Sequence, residues 1–81
     1  MREKIINILL EINPDIELNE NINWVKSGSI DSFDISNIVI SLEEEFNIEI
    51  SASEIIPDNF ANVDCLLKMV ERTINKGGKN E

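Results

Sequence analysis

Few side chains in this 81-residue sequence can do chemistry of their own. It has no histidine and a single cysteine, Cys65. Ser–His and Cys–His nucleophile pairs are therefore excluded, as are a disulfide and a Cys/His zinc cluster. Hydroxyls and carboxylates remain, and one hydroxyl is set apart by its place. In the run Gly28–Phe46, Ser32 stands where a helix is expected to begin. Ile35, Ile38, Val39, Leu42 and Phe46 follow it at offsets that make one helical stripe. That pattern puts Ser32 beside unpaired backbone N–H groups and the positive end of a helix dipole. A phosphate is favoured at such a place by roughly 0.3–1 kcal/mol when it is exposed. Serine is equally a common helix N-cap that carries nothing. No base lies near Ser32 in the sequence to activate its hydroxyl, and a lone alcohol is a weak nucleophile, so the chain is not expected to be an enzyme.

The other chemical candidates read more plainly. Asp31 and Asp34 lack the glycine and the alternating ligands of a calcium loop, so no metal site is expected. Cys65 has no adjoining basic residue and reads as a small core or boundary residue rather than a reactive thiol. Trp24 reads as an anchor for the loop around it rather than as a binding aromatic.

Sixteen acids against seven bases give a net charge of −9. Nine of the acids fall between Lys26 and Lys68, where there is no base. Nucleic acid and anionic membranes would be repelled, and a partner with a basic face would be steered in. The same run is also what a solvated surface that only maintains solubility would show. The opening Met-Arg-Glu-Lys lacks the apolar run of a signal peptide, and no stretch approaches a membrane span. A cytoplasmic monomer is expected.

The elements that must position Ser32 follow from periodicity and punctuation. Met1–Asn13 reads as a helix with Ile5, Leu9 and Ile12 on one face, widened by Ile6, Ile8 and Leu10, and ended by Pro14. Asp15–Ser29 reads as a long loop tied to the core by Ile16, Leu18, Ile22, Trp24 and Val25. The Ser32–Phe46 helix is followed by a link, Asn47–Ile50, with Ile48 and Ile50 buried. Ser51–Glu54 fits a capping box that opens about one helical turn before Pro57. Asp58–Ala61 connects, with Phe60 packed inward. Asn62 caps a last helix whose stripe is Val63, Leu66, Leu67, Val70 and Ile74, with Cys65 and Met69 beside it. Gly77 supplies its stop, and Gly78–Glu81 are expected to fray. The expected architecture is all-α, three main helices plus one short one, in a single domain over 1–76 with a tail at 77–81.

Asp31-Ser32-Phe33, followed by a helix that ends in Glu43-Glu44-Glu45-Phe46, resembles the attachment motif of acyl and peptidyl carrier proteins. The usual family pattern is Asp-Ser-Leu, and Phe33 replaces the leucine with another large apolar side chain. The resemblance covers roughly residues 1–76 and implies a four-helix carrier fold, with 4′-phosphopantetheine from coenzyme A joined to Ser32 as a phosphodiester. A phosphopantetheinyl transferase would supply the activation and the magnesium. Cargo would ride as a thioester on the thiol of the arm, loaded by an acyl- or aminoacyl-loading ligase and passed to a downstream transferase or synthase. Those partners would carry basic docking faces.

The helix offers a face for such docking. Residues 33, 37, 40 and 44 advance by 4, 3 and 4 and so line up. Phe33 and Ile40 lie off the core stripe, ringed by Asp34, Asn37, Glu43 and Glu44, with Asp31 beside Ser32. They are either boundary residues of the core or contacts for partner pockets, and the resemblance favours the second. The leading reading is a freestanding acyl carrier for fatty, polyketide or related acids. The alternative is an aminoacyl carrier, D-alanyl or peptidyl. Ser-Gly-x-Ile-Asp-Ser before the motif and the long Ser51–Asn62 connection, with its Asn59-Phe60, both resemble D-alanyl carrier proteins. From another class, an unmodified helical adaptor would use Ser32 only as a cap.

Overall fold

The computed structural model describes residues 1–19 and 21–76. The expected Gly77 stop and the 77–81 tail lie outside the described residues. Among those described there is no strand. Four α-helices, α1 (Arg2–Ile12), α2 (Trp24–Ser27), α3 (Ser32–Phe46) and α4 (Val63–Asn75), are joined by connections that include two 3-10 turns, Ala52–Glu54 and Pro57–Phe60. This is the all-α carrier-like bundle that the sequence suggests.

Each helix is bounded by a local device. Asn13 ends α1 in extended geometry, as the following proline requires. The side chain of Asn23 accepts from the amides of Val25 and Lys26 and starts α2. Gly28 ends that turn at φ +80°, the left-handed region where glycine carries no Cβ penalty. Asn47 ends α3 in the same region, at φ 53°. Asn62 accepts from the Cys65 amide and caps α4.

The core is a single cluster. Ile5, Ile8 and Leu9 of α1 meet Ile38 and Leu42 of α3 and Leu66, Met69 and Val70 of α4, with Trp24 and Phe60 filling the space from the connections. Trp24 is wholly buried, and its indole N–H donates to the Glu17 carbonyl, so it anchors the loop. Ile48 and Ile50 are buried, as expected of the link that follows α3.

Several expectations are corrected. The 15–29 loop contains the α2 turn, which at four residues is too short to show a period. Leu18 is exposed rather than tied to the core. Leu10 is likewise exposed and does not widen the core face of α1. The single short helix expected after Ser51 is replaced by the two 3-10 turns. Ser51 does cap the first by accepting from the Ser53 amide, but Glu54 turns away from the cap to Arg72 and Asn59. The buried face of α4 is Val63, Leu66, Met69, Val70 and Thr73. Met69 is therefore core rather than flank, and Ile74 is exposed beside Met1 and Glu71. Thr73 tolerates burial because its hydroxyl donates to the Met69 carbonyl one turn earlier.

Candidate functional site

The head of α3 is built from the four residues Asp31–Asp34. Asp31, in extended geometry, is the N-cap, and its carboxylate accepts from the Asp34 amide at 2.9 Å. The Asp34 carboxylate returns the contact, accepting from the Asp31 amide at 3.3 Å. This reciprocal capping box satisfies two donors that would otherwise be orphans. Ser32 is consequently the first helical residue and not the cap. Its side chain is exposed, and its hydroxyl is in no hydrogen bond among the described residues.

That changes the electrostatics expected at Ser32. The amide of Asp34 is taken by Asp31, and that of Ile35 donates to the Asp31 carbonyl. Two carboxylates already face the positive end of the helix. The first turn is therefore not a ready-made phosphate cradle, and the favourable dipole contribution to a phosphate on Ser32 is offset by Asp31 and Asp34. What the geometry does provide is an accessible primary alcohol, fixed at a helix end and committed to no other contact. Such an alcohol fits phosphopantetheine attachment.

The residues expected on the docking face differ in exposure. Phe33 is 73% exposed and Ile40 53%, and Glu44 is exposed. On the helical rise, Ile40 lies about 12 Å and Glu44 about 18 Å along α3 from Ser32. Asp34, Asn37 and Glu43 are only half-exposed, against the expectation that Asp34 and Glu43 stand free. Asp34 is held in the cap, and Glu43 folds back so that Oε2 accepts from the Ile50 amide at 2.9 Å. Beyond Ile40 the face dips into a groove of about 510 Å³ lined by Glu43, Glu44, Asn47, Ile48 and Glu49. Asn47 and Glu49 were not among the residues singled out in the sequence. The acid triplet followed by Asn, a residue suited to a left-handed helix stop, was the signal that could have placed them.

Cys65 is half-buried within α4. Among the described residues no group of three or more acidic, histidine or cysteine side chains could hold a metal ion. No helix of the described residues is long and apolar enough to cross a membrane.

The chain is similar to D-alanyl carrier proteins of Bacillus cereus strain B4264 and Bacillus anthracis strain CDC 684 / NRRL 3495, at 26% identity over 72 residues in both cases. The aligned region covers 86% of this chain and 91% of each relative. No family model matches, and no solved structure matches. The similarity supports the carrier-protein resemblance read from the sequence. The relatives' names fit the aminoacyl alternative better than the acyl reading that led it.

Proposed function

We propose that this protein is an aminoacyl carrier, with Ser32 as the attachment point of a phosphopantetheine arm. The carrying observation is the free, exposed Ser32 hydroxyl at the head of α3, in a chain similar along most of its length to D-alanyl carrier proteins. Asp31 and Asp34 relieve Ser32 of the capping role, so its oxygen can be esterified without loosening the helix. In the attachment step Ser32 Oγ forms the new bond to phosphorus, its proton passes to a base of the transferase, and adenosine 3′,5′-bisphosphate leaves coenzyme A. When bound, the arm supplies the thiol that holds cargo as a thioester. Among this chain's own residues, Phe33 and Ile40 offer apolar contacts to the transferase and to the loading ligase. Glu44 offers them an exposed negative charge suited to a basic face.

Intact mass tests the reading. Incubation with coenzyme A and a phosphopantetheinyl transferase is expected to add one phosphopantetheine, and Ser32→Ala to gain nothing. Transfer to the Ala variant would move the attachment point, and no transfer to either protein would favour the unmodified adaptor. Once the arm is attached, loading by an aminoacyl-activating ligase but not by a fatty-acyl ligase separates the aminoacyl from the acyl reading.

A further inference from the structure

Four residues, Gly28–Asp31, separate α2 from Ser32. Each of their amides is used close by. Gly28 N–H donates to the Val25 carbonyl, and those of Ser29 and Ile30 donate to the Trp24 carbonyl. Asp31 N–H donates to Asp34 within the capping box. Ile30 adds its side chain to the core. A contact from farther away comes from the end of α1. Asn13 Nδ2 donates to the Ser29 carbonyl at 3.2 Å, across 16 residues of sequence.

Asn13 is itself held from several sides. Its amide donates to the Leu9 carbonyl, and its carbonyl accepts from Ile16 N–H. Leu9 and Ile16 are both in the core. Pro14 confines the Asn13 backbone to extended geometry, at φ −143° and ψ 93°. Asn13 Oδ1 accepts from the Asp15 amide at 3.1 Å, which leaves Nδ2 as the end that meets Ser29. The side chain therefore works from a fixed base and gives up little freedom in making the contact.

We propose that Asn13 is a positioning residue for arm attachment. By pinning the Ser29 carbonyl it holds the connection that leads into α3, and so keeps the Ser32 hydroxyl in one place. The inference rests on the proposed attachment at Ser32. The first turn of a helix lacks intrahelical partners for its amides and frays readily. Ser32 lies in that turn, so fraying spreads the positions of its oxygen. The capping box moves with the turn, because both of its members belong to it or adjoin it. Asn13 instead ties the residue two before the cap to a different helix. Attack on phosphorus needs an oxygen held in line, and a small misplacement is costly in rate. Ile40 and Glu44 stay where they are on α3 when the contact is lost. Turnover of the bound carrier is thus affected more than its binding.

Two variants remove the donor. Asn13→Asp keeps the shape and the acceptor, and Asn13→Ala puts no carboxylate against the Ser29 carbonyl. Arm transfer from coenzyme A by a phosphopantetheinyl transferase is followed by intact mass, and amide exchange by NMR, both on the full chain at neutral pH. Each variant is expected to lower kcat about fivefold while KM for the carrier changes by less than about twofold. Exchange at Asp34 and Ile35 is expected to quicken about fivefold, with Leu42 and Leu66 changing by less than about twofold. An unchanged kcat would show that Asn13 positions nothing for the reaction. Uniformly faster exchange across α3 and α4, or unfolding of both variants, would show that Asn13 only stabilises the bundle. Failure of transfer to the unsubstituted protein as well would strike the attachment reading itself. The exchange data need no arm, so an anchor that fails is told apart from an attachment that fails.

Discussion

Helices α3 and α4 are of similar length and use their apolar residues in opposite ways. Over 13 residues, α4 buries Val63, Leu66, Met69, Val70 and Thr73. Over 15 residues, α3 fully buries only Ile38 and Leu42 and holds Phe33 and Ile40 outward. Both helices carry a recognisable apolar stripe, so periodicity alone does not tell them apart. The difference is that α4 is wedged between α1 and the Pro57–Phe60 turn, whereas the outer side of α3 is left open. α4 serves the core, and α3 divides its surface between the core and whatever meets it from outside. The largest effects are expected where that division is erased. Leu66→Ala in α4 and Leu42→Ala in α3 each open a cavity and are expected to cost about 2–5 kcal/mol in urea unfolding. Phe33→Ala and Ile40→Ala are expected to stay within about 0.5 kcal/mol. An equal cost at all four positions would abolish the distinction.

Within α3 the same division runs between neighbours. Asp31 carries the cap and Ser32 is free of it. Asp31→Ala is expected to cost about 0.5–2 kcal/mol. Ser32→Ala, although it removes the proposed attachment point, is expected to leave the unfolding midpoint nearly unchanged, within about 0.5 kcal/mol. Were Ser32→Ala the more costly of the two, the cap would belong to the serine after all.

A smaller effect lies at Glu54, whose carboxylate joins the connection after α3 to Arg72 of α4. The Arg72 hydrogen bond holds the Glu54 carboxyl below the ordinary glutamate value of 4.5; burial opposes that shift, and the charges of Arg72 and Lys76 add to it. A carboxyl whose pKa is lowered by folding stabilises the folded state above its unfolded pKa, and the contribution is lost as pH falls through the folded pKa. The advantage of the unsubstituted protein over Glu54→Gln is thus expected to be full at neutral pH and to shrink below about pH 4.5. Melting curves of the two proteins across that range check it, and a gap that stayed constant on acidification would remove charge from the account of the Glu54–Arg72 contact.

What could be read in the sequence was whatever local chemistry decides. The limits of α3 were legible because a polar start and a sustained apolar period agree. The cap itself was misassigned between adjacent residues. Asp31 and Ser32 are both good caps, and only the partner three residues on decides, since Asp34 can return a hydrogen bond and Ile35 cannot. The buried Trp24 and Phe60 were legible as anchors because large aromatics in short connections have little else to do. The phase of α4 was off because Ile74 continues the period beyond the point where the core ends, and Thr73 satisfies its own hydroxyl. Glu54 and Arg72 are 18 residues apart on separate elements, and no local pattern pairs them. At the candidate site, the freedom of the Ser32 hydroxyl and the tethering of Glu43 to the Ile50 amide depend in the same way on contacts that only the folded chain supplies.

The finest test of the comparison lies on the open side of α3, where two kinds of contact are expected to be separable. Glu44 is exposed and Ile40 half so, about one turn apart on one face. If enzymes read this face, Glu44→Lys reverses a charge that steers a basic partner in, and it is expected to slow arm transfer to Ser32 chiefly through the association rate. That loss is expected to shrink as salt rises, because a Debye length of about 10 Å at 0.1 M screens exposed charge. Ile40→Ala removes apolar contact area instead, so its loss is expected to persist at high salt and to appear mainly in dissociation. Neither substitution is expected to move stability by more than about 0.5 kcal/mol, since neither side chain is in the core. Transfer kinetics measured at low and high salt for both variants give the four values needed. Two losses with the same salt dependence would mean that charge and apolar contact do not act separately here. No loss in either variant would make the outer side of α3 a solvated surface and place the recognition of Ser32 elsewhere on the molecule.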